Sequence, residues 1–409
     1  MNPVLALALV LAAGLAVTRL PLPHLRHTLS LDLVVAAGAP LVVAGLLLGP
    51  GLGVLDHATL RALAPVTALG IGWIGAAFGA QLEWRLLRRV PRRTWALAAL
   101  QAAVVLVLTA LAARLLTRAA PALAQAWRPT LPALLTIAAA AMTSGPAAVA
   151  LVARAVRVPT PLARALGTAA RLDTAFGALV FAFALGLSQP HRSFAGVALG
   201  WAHWVAVAVV ASGGVGVLFL WVSRLRGETD GNALSVDLLA AVLLGSGLGY
   251  ATDLSPFIVC ALATALIVNL SPQRRRVQAL LVSWEPPVYA VFVIVVGALL
   301  ALPTWWLVPA ALLIGLIGVA ARWAVMRDAQ GWREVAPLPP HLGLATVAQG
   351  GVPLALAASF SLIYAGSAGS SAGGGGAILT TVLLGVALSQ VIAAPLMALA
   401  LRPAPPEVS

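Results

Sequence analysis

Long apolar segments alternate with short polar breaks along all 409 residues of the chain. Most of these segments run for about 17 to 26 residues, the length at which a helix crosses a hydrocarbon layer of about 30 Å. Helices are the expected spanning form because each satisfies its backbone polar groups within its own segment, and no alternating strand pattern occurs. We therefore predict thirteen transmembrane helices, at residues 3–20, 31–48, 61–81, 95–117, 130–153, 162–186, 194–223, 233–250, 254–270, 279–300, 303–325, 342–365 and 376–401.

The composition agrees with this pattern and argues against a soluble globular chain. Hydrophobic residues make up 61% of the sequence and charged residues 9%, and the mean hydropathy is +1.00. That is more apolar surface than one soluble core can bury. No long polar segment separates the spans, so residues 1–409 are predicted to form a single polytopic membrane domain with the lipid bilayer as its surroundings.

All 25 basic residues are arginines, and the formal net charge is +13. If the N-terminus lies outside, nineteen arginines fall on the inner side, Arg322 at the end of the eleventh span among them. Five fall on the outer side, and Arg171 is left within a span. This bias predicts an outer N-terminus and an inner C-terminus, and it explains the basic charge as a topology signal without nucleic acid as a partner.

Glycine and proline interrupt two of the predicted spans near their middle. The fifth contains Thr143-Ser144-Gly145-Pro146, and the twelfth contains Gln349-Gly350-Gly351-Val352-Pro353. Proline removes a backbone donor and glycine adds conformational freedom, so both helices are predicted to break there. The two spans lie seven apart in order and therefore run in opposite directions. Spans 2–6 and 9–13 are thus predicted to be inverted five-helix repeats with a transport site at their crossing breaks. The alternative is that both motifs merely kink their helices.

The acidic residue placed deepest in an apolar segment is Asp173, in the sixth span. A charge at that depth is costly, which makes an intramembrane carboxylate a functional hypothesis by default. It can hold a cation when ionised and a proton otherwise, so competition for one site would couple two fluxes. The alternative is a structural ion pair with Arg171 or with another arginine. Glu285, followed by two prolines, is a secondary candidate that we predict at the start of the tenth span, where a helix-entry role is favoured.

Catalytic and metal-binding constellations do not occur in the sequence. The six histidines lack metal-ligand spacing, and no nucleophile lies in an arrangement typical of a catalytic base and its partner. The Gly373–Gly376 run follows no predicted strand and so does not indicate a phosphate-binding loop. We expect neither an enzyme nor a cofactor, and no metal beyond a transported monovalent cation.

Several short motifs occur in a fixed order along the chain. They are AGLLLGP at 44–50, GAQLE at 79–83, TSGP at 143–146, SP at 255–256 with NLS at 269–271 before a basic loop, and EP at 285–286 with VVG at 295–297. This series resembles the second cation:proton antiporter family, which includes the Kef-type and NapA-type exchangers. The matching family patterns are GxLLGP, GLELD, TSP or TDP, and EP…FFxxVG. The resemblance covers nearly the whole chain.

The resemblance implies thirteen helices, a dimer scaffold and a mobile core that gives elevator-type alternating access. Residues 1–81 and 233–300 would form the scaffold of a homodimer, 95–186 and 303–401 the core, and 194–223 a linking helix. The ion would sit beside the crossing of the fifth and twelfth spans. Asp173 would be the shared carrier there, with Thr143, Ser144 and Thr174 as oxygen ligands. The implied location is the bacterial cell membrane.

Two departures from the family pattern refine the expected activity. Family members often have two adjacent polar residues in the sixth span, the second being an essential aspartate. Here Asp173 falls on the first position and Thr174 on the second, unless the alignment shifts by one residue. Electrogenic members also have a lysine in the eleventh span, near Gly315, and this chain has none; Arg322 lies about two turns away. We therefore expect electroneutral exchange of Na⁺ or K⁺ for H⁺.

Two other functions stay open at this level. A relative that kept the fold and lost exchange would act as a sensor or regulatory membrane protein, and the missing second acid and the missing lysine favour it. A sodium-coupled organic anion symporter could use half-helix N-termini and Arg171 for its anion.

Overall fold

The computed structural model of the protein describes residues 2–19, 38–188, 193–194, 197–198, 200–226, 231–328, 342–367 and 373–401. The described helices, in chain order, are α1 (Pro3–Arg19), α2 (Ala39–Leu46), α3 (His57–Ala62), α4 (Ala64–Gly79), α5 (Trp84–Leu87), α6 (Arg92–Ala119), α7 (Pro121–Trp127), α8 (Leu131–Met142), α9 (Pro146–Ala155), α10 (Thr160–Ser188), α11 (Trp201–Arg226), α12 (Gly231–Ala251), α13 (Pro256–Leu270), α14 (Arg274–Ala298), α15 (Leu307–Asp328), α16 (Gly351–Ser367) and α17 (Gly373–Ala400). A π-helical turn (Leu47–Gly51) continues α2, and a 3₁₀ helix (Leu342–Thr346) precedes α16. Residues Ser193–Phe194 (β1) pair antiparallel with Val197–Ala198 (β2).

The described helices form a multi-pass membrane protein. Within the described part of the chain, eight helical segments are long and apolar enough to cross a bilayer, with the pair α8 and α9 counted as one segment interrupted by a break. Shorter apolar helices occupy 3–17, 39–51, 64–79, 256–270 and 351–364. Each of the thirteen predicted spans overlaps one of these segments. The number of crossings and their direction stay predictions, because length and apolar composition alone do not fix them.

The predicted start of the tenth span is wrong. Helix α14 begins at Arg274 and not at residue 279, so Glu285 and the prolines Pro286 and Pro287 lie in its middle. The prediction treated the prolines as a helix entry. In a membrane helix, neighbouring elements can re-satisfy the backbone groups that proline frees, so prolines are tolerated inside it.

Two other predicted boundaries also change. The seventh span was predicted from residue 194, but α11 begins at Trp201, and the carbonyl of Gly200 accepts the amides of His203 and Trp204 in its first turn. The second span was predicted over 31–48; residues 31–37 lie outside the described part of the chain. The described helix there begins at Ala39 and continues through the π-helical turn to Gly51.

Helix α4 packs closely on α12, α13 and α14. Gly75 and Gly79 of α4 face the backbone of Phe257 and Ala261 in α13 so closely that an added Cβ would overlap both carbonyl oxygens. Without a water-driven hydrophobic effect between membrane helices, such small residues allow the close packing that holds them together.

Helices α6, α10, α15 and α17 pack around the two interrupted ones. Helix α8 packs against α6 and α10, α15 packs against α6 and α17, and α16 packs against α17 and α8. These contacts bring the gap between α8 and α9 next to the gap that precedes α16. The polar side chains considered below lie at that crossing.

Candidate functional site

The first break separates α8 from α9. Helix α8 ends at Met142, Thr143 to Gly145 are extended, and α9 begins at Pro146. Proline suits the first helical position because its missing N–H would have had no partner there. An added Cβ on Gly145 would overlap the backbone of Gly350 in the second break. The two segments can therefore approach this closely only with glycine at 145. The predicted first break is present in the structure.

The second break lies between the 3₁₀ helix ending at Thr346 and α16, which begins at Gly351. Of the predicted break residues, Gln349 and Gly350 lie in the gap, whereas Gly351 and Pro353 belong to the first turn of α16. The Gly145 amide donates to the carbonyl of Ala348 at 2.9 Å. The two breaks are therefore joined directly through their backbones.

Asp173 lies on α10 beside the first break and is 1% exposed. Its Oδ2 accepts hydrogen bonds from Ser144 Oγ at 2.8 Å and from Gln101 Nε2 at 2.9 Å. Its Oδ1 is buried and has no hydrogen-bond partner among the residues that the structure describes. A buried oxygen without a donor is an expensive arrangement for an ionised carboxylate, and it leaves one oxygen available for a cation or a proton.

The predicted oxygen ligands Thr143 and Thr174 are fully buried in the same place, but neither hydroxyl donates to the carboxylate. Thr174 Oγ1 donates to the carbonyl of Ser144 and also reaches the carbonyl of Ala170 at 2.8 Å. Thr143 Oγ1 donates to Ala140 O at 2.9 Å. Both hydroxyls thus use their proton to hold backbone carbonyls, which leaves their oxygen lone pairs free to accept.

A buried arginine binds the C-terminal carbonyls of α8. Arg322 Nη2 donates to Met142 O at 2.8 Å and reaches Ala141 O at 3.2 Å and Thr143 O at 3.3 Å. The side chain is 2% exposed, so Arg322 does not lie in a polar inner loop as predicted: it is buried within α15. A cation at a helix C-terminus is stabilised by the helix dipole and by the free carbonyls there.

Gln349 supplies neutral donors to the same carbonyls. Its Nε2 lies 3.2 Å from the carbonyls of Ala140 and Ala141 and 3.3 Å from that of Thr143. The backbone carbonyl of Gln349 accepts a hydrogen bond from Gln390 Nε2 on α17. The second break is therefore tied to the first break on one side and to α17 on the other.

The charges of Arg322 and Asp173 lie close together along this chain of contacts without pairing. The guanidinium holds Met142 O and Thr143 O, and the next residue, Ser144, binds the carboxylate. Among the residues that the structure describes, no carboxylate oxygen lies within 4.0 Å of the guanidinium. The site therefore has one fixed positive charge and one acid that can change its occupant.

The two secondary candidates lie apart from Asp173. Arg171 is half-buried on the same helix and forms no ion pair with Asp173, because residues two apart on a helix point in different directions. Glu285 is half-buried in mid-α14 and makes no hydrogen bond or ion pair with a described residue. One turn further on, Tyr289 packs against Gly351 at the start of α16, which relates this face of α14 to the second break.

Sequence reasoning missed three residues at the crossing: Gln101, Arg322 and Gln390. All three are 5% exposed or less. Gln101 and Gln390 are long polar side chains within apolar spans, and this pattern could have singled them out. Arg322 lies near the end of its span and was grouped with the arginines of the inner side.

No group of three or more His, Cys, Asp or Glu side chains able to hold a resident metal occurs in the described part of the chain. A cavity of about 40 Å³, enough for a few waters, lies at the crossing. Its lining includes Arg322, Gln349 and Ser389 and does not include Asp173. The chemistry that the crossing supports is reversible occupation of one carboxylate by a small cation or a proton.

No family model matches the chain, and no curated protein sequence does. Solved structures do match over almost the whole length, and two of them are structures of one antiporter. One is the sodium proton antiporter MjNhaP1 from Methanocaldococcus jannaschii at pH 8, with a TM-score of 0.67, 16% identity and 98% of each chain covered. The other is an electron-microscopy map of the same antiporter, with a TM-score of 0.61, 17% identity and 97% of each chain covered. The chain therefore has the helical fold of a sodium/proton antiporter. The likeness does not assign it to the family of the Kef-type and NapA-type exchangers.

Proposed function

We propose that this protein is a secondary antiporter that exchanges a monovalent cation, Na⁺ or K⁺, for H⁺ across the membrane. The observation that carries the proposal is Asp173, a buried carboxylate at the crossing of two broken helices. Two described side chains donate to its Oδ2 and no described residue donates to its Oδ1. An intramembrane acid facing the interior is typical of ion and proton pathways. The antiporter fold of the chain supports the same class.

The exchange chemistry follows from one carboxylate with two alternative occupants. Ionised Asp173 takes the cation through Oδ1, with the Ser144 hydroxyl oxygen beside it and the lone pairs of Thr143 and Thr174 available nearby. Hard monovalent cations favour such oxygen donors. Protonation of Asp173 removes the charge that holds the cation. Binding of one substrate therefore excludes the other, and the two fluxes are coupled.

Electroneutral exchange is part of the proposal. The crossing contains no lysine, whose ammonium could release a second proton. The positively charged side chain at the crossing is Arg322, and an arginine keeps its proton in proteins. One acid then exchanges one proton for one monovalent cation. A voltage-sensitive dye in sealed proteoliposomes should stay unchanged while the pH dye responds; a potential generated by the exchange would contradict a one-for-one ratio.

The remaining parts of the proposal concern architecture. Residues 95–186 and 303–401 would move as the core against a scaffold of 1–81 and 233–300, with 194–223 as the linking helix, in a homodimer in the bacterial cell membrane. The packing of α6, α8, α10, α15, α16 and α17 around the crossing and of α4 against α12, α13 and α14 supports this division. The elevator-type motion itself would be tested by cross-linking pairs of cysteines placed across the division.

The direct test is cation-dependent proton flux in proteoliposomes containing a pH-sensitive dye. Pulses of Na⁺, Li⁺ and K⁺ are applied to the wild type, to Asp173→Asn and to Gly167→Ala, a control on the same helix where an added Cβ meets nothing within 4 Å. We expect a response in the wild type and the control, and none in Asp173→Asn at equal reconstitution and an unchanged elution profile. Full exchange in Asp173→Asn would refute its assignment.

A non-exchanging relative is the second candidate, and one observation favours it. The carbonyls of the first break that could complete a cation shell already accept hydrogen bonds from Arg322, Gln349 and Thr174. A site whose carbonyls are permanently occupied would keep the fold without the transport. No response from the wild type to any cation, in vesicles where a known exchanger responds, would establish this alternative.

A further inference from the structure

A basic pocket lies at one end of the molecule, away from the crossing. It has a volume of about 610 Å³ and is formed by α5, the end of α13 and the beginning of α14. Four of its lining residues are arginines: Arg85 from α5, and Arg274, Arg275 and Arg276 from the first turn of α14. The arginine bias of the sequence places this end on the inner side of the membrane.

The positive charge of the pocket is largely uncompensated within the protein. Glu83 approaches Arg274 Nε at 3.5 Å, and both side chains are partly exposed. Arg85, Arg275 and Arg276 are exposed and form no ion pair with any described residue. Guanidinium groups of like charge gathered around one space repel one another, and an anion in that space would offset the repulsion.

The start of α14 adds to this imbalance. Three arginines occupy its first turn, where the helix dipole favours negative charge, and the first turn contains no acidic residue. Gln273 precedes the helix without capping it through its side chain, so amides of the first turn have no side-chain acceptor. An anion in the pocket would face these amides and the guanidiniums together.

The walls of the pocket are fixed to each other. Asn269 Oδ1 accepts the amide of Trp84 at 2.7 Å, and its Nδ2 donates to Leu82 O at 2.9 Å. Gln278 Nε2 donates to Ala80 O at 2.9 Å. These bonds join the end of α13 and the start of α14 to the segment that carries Arg85. A ligand would therefore meet guanidiniums on a backbone that is already positioned.

The apolar rim of the pocket indicates which kind of anion fits. Trp84 is 57% exposed and Leu270 is 55% exposed, and both belong to the same ends of α5 and α13. Exposed tryptophan and leucine at this level belong at the boundary between headgroups and acyl chains. Basic pockets between helices on the cytoplasmic side suit phosphate-bearing lipid headgroups. We propose that this pocket binds the phosphate headgroup of an anionic phospholipid in the inner leaflet, through Arg85, Arg274, Arg275 and Arg276.

The test measures lipid binding by the full-length protein in a neutral detergent. Thermal stability is followed while cardiolipin, phosphatidylglycerol, phosphatidylcholine or inorganic phosphate is titrated, and bound lipid is counted by native mass spectrometry. The pocket variant is Arg85→Gln/Arg275→Gln/Arg276→Gln. The control variant is Arg89→Gln/Arg92→Gln/Arg164→Gln, which removes the same charge from exposed positions on the same predicted side but outside the pocket.

We expect anionic lipid to stabilise the wild type and the control, with phosphatidylcholine and inorganic phosphate much weaker. The pocket variant should bind anionic lipid at least about tenfold more weakly, because charge-assisted hydrogen bonds to the phosphate are lost. Arg276→Gln alone, measured in the same way, keeps the test decisive if the triple variant does not fold.

Three results would overturn the proposal. Equal weakening in both triple variants would mean diffuse attraction to the basic side of the protein. Equal stabilisation by phosphatidylcholine would mean that the headgroup charge is not recognised. Equal stabilisation by inorganic phosphate would mean that the pocket serves a soluble phosphate compound. None of these measurements depends on ion exchange, so the outcome is independent of the proposed antiport.

Discussion

The two broken helices share a backbone arrangement and differ in chemistry. In each, a side chain from the following long helix donates to a carbonyl of the break: Thr174 to Ser144 O in the first, and Gln390 to Gln349 O in the second. The residue before the donor is Asp173 in the first case and Ser389 in the second. The positions correspond, yet only one of them has an ionisable group.

This difference indicates that one break can serve the structure while the other supplies the ionisable group. In the first break, Arg322 and Gln349 donate to Thr143 O, and the Ser144 hydroxyl donates to an acid. The second break is held by neutral amides, through Gly145 N and Gln390 Nε2. We infer that the second half supplies the frame and the first half supplies the ion site.

Making the first break resemble the second should have the largest effect. Asp173→Ser places the chemistry of Ser389 at the acid position, and we expect cation-dependent proton flux to fall to the level of empty vesicles, because no group remains that can alternate between proton and cation. Ser389→Ala, at the corresponding place in the other half, should exchange at close to the wild-type rate. Loss of exchange in both variants would show that the halves share the ion chemistry.

Removing the fixed charge should mainly cost stability. Arg322→Met leaves the C-terminal carbonyls of α8 with fewer donors, and loss of buried charge-assisted hydrogen bonds should lower the free energy of unfolding by about 3 kcal/mol. Thermal unfolding in detergent, followed by tryptophan fluorescence, measures the change. Arg327→Gln, an exposed arginine on the same helix, is the control and should change little. Equal stability of Arg322→Met and the wild type would remove the arginine from the frame.

The contact between the breaks gives the next prediction. An alanine at Gly145 would overlap the backbone of Gly350, and relief of that overlap should cost about 1 to 3 kcal/mol of stability. Gly167→Ala is the matched glycine on α10, where the added Cβ meets nothing and alanine favours the helix. The same unfolding measurement compares the two variants. If Gly145→Ala is as stable as Gly167→Ala, the breaks can separate without cost.

The breaks themselves could be predicted from the sequence because glycine and proline act on their own neighbours in the chain. Pro146 fits a helix start whatever surrounds it, and in the motif at 349–353 glycine and proline likewise act through the local backbone. Asp173 could also be singled out, since an acid within an apolar span is costly in any fold. Local patterns thus located the crossing and its acid.

The partners of the acid could not be predicted in this way. The distance from Gln101 to Asp173 depends on how α6 packs against α10, and 72 residues separate them in the chain. Arg322 looks like an interfacial arginine in sequence, and only the packing of α15 beside the break buries it. The prolines at 286 and 287 gave a wrong helix start. The rule that proline marks the first turn of a helix holds for soluble helices and does not hold inside α14.

The smallest effects are expected from the two corresponding donors, Thr174 and Gln390. Thr174→Val and Gln390→Leu each remove one buried hydrogen bond to a break carbonyl, so each should lower the free energy of unfolding by about 1 kcal/mol. Their kinetics should differ. The Thr174 hydroxyl lies beside the acid, so its loss should raise the cation KM roughly fivefold. Gln390→Leu should leave the KM unchanged, because its carbonyl partner belongs to the half without an ion.

Proteoliposome flux at varied Na⁺ or K⁺, together with thermal unfolding of the same preparations, separates the two properties. Equal loss of stability with unequal KM would mean that the two donors share a structural role and that Thr174 alone adds an ion ligand. Equal changes in KM would mean that the second break also reaches the ion, and the division between frame and site would fail. A change in KM for Thr174→Val without loss of stability would make its hydroxyl a ligand only, and the correspondence with Gln390 would then be geometric and not energetic.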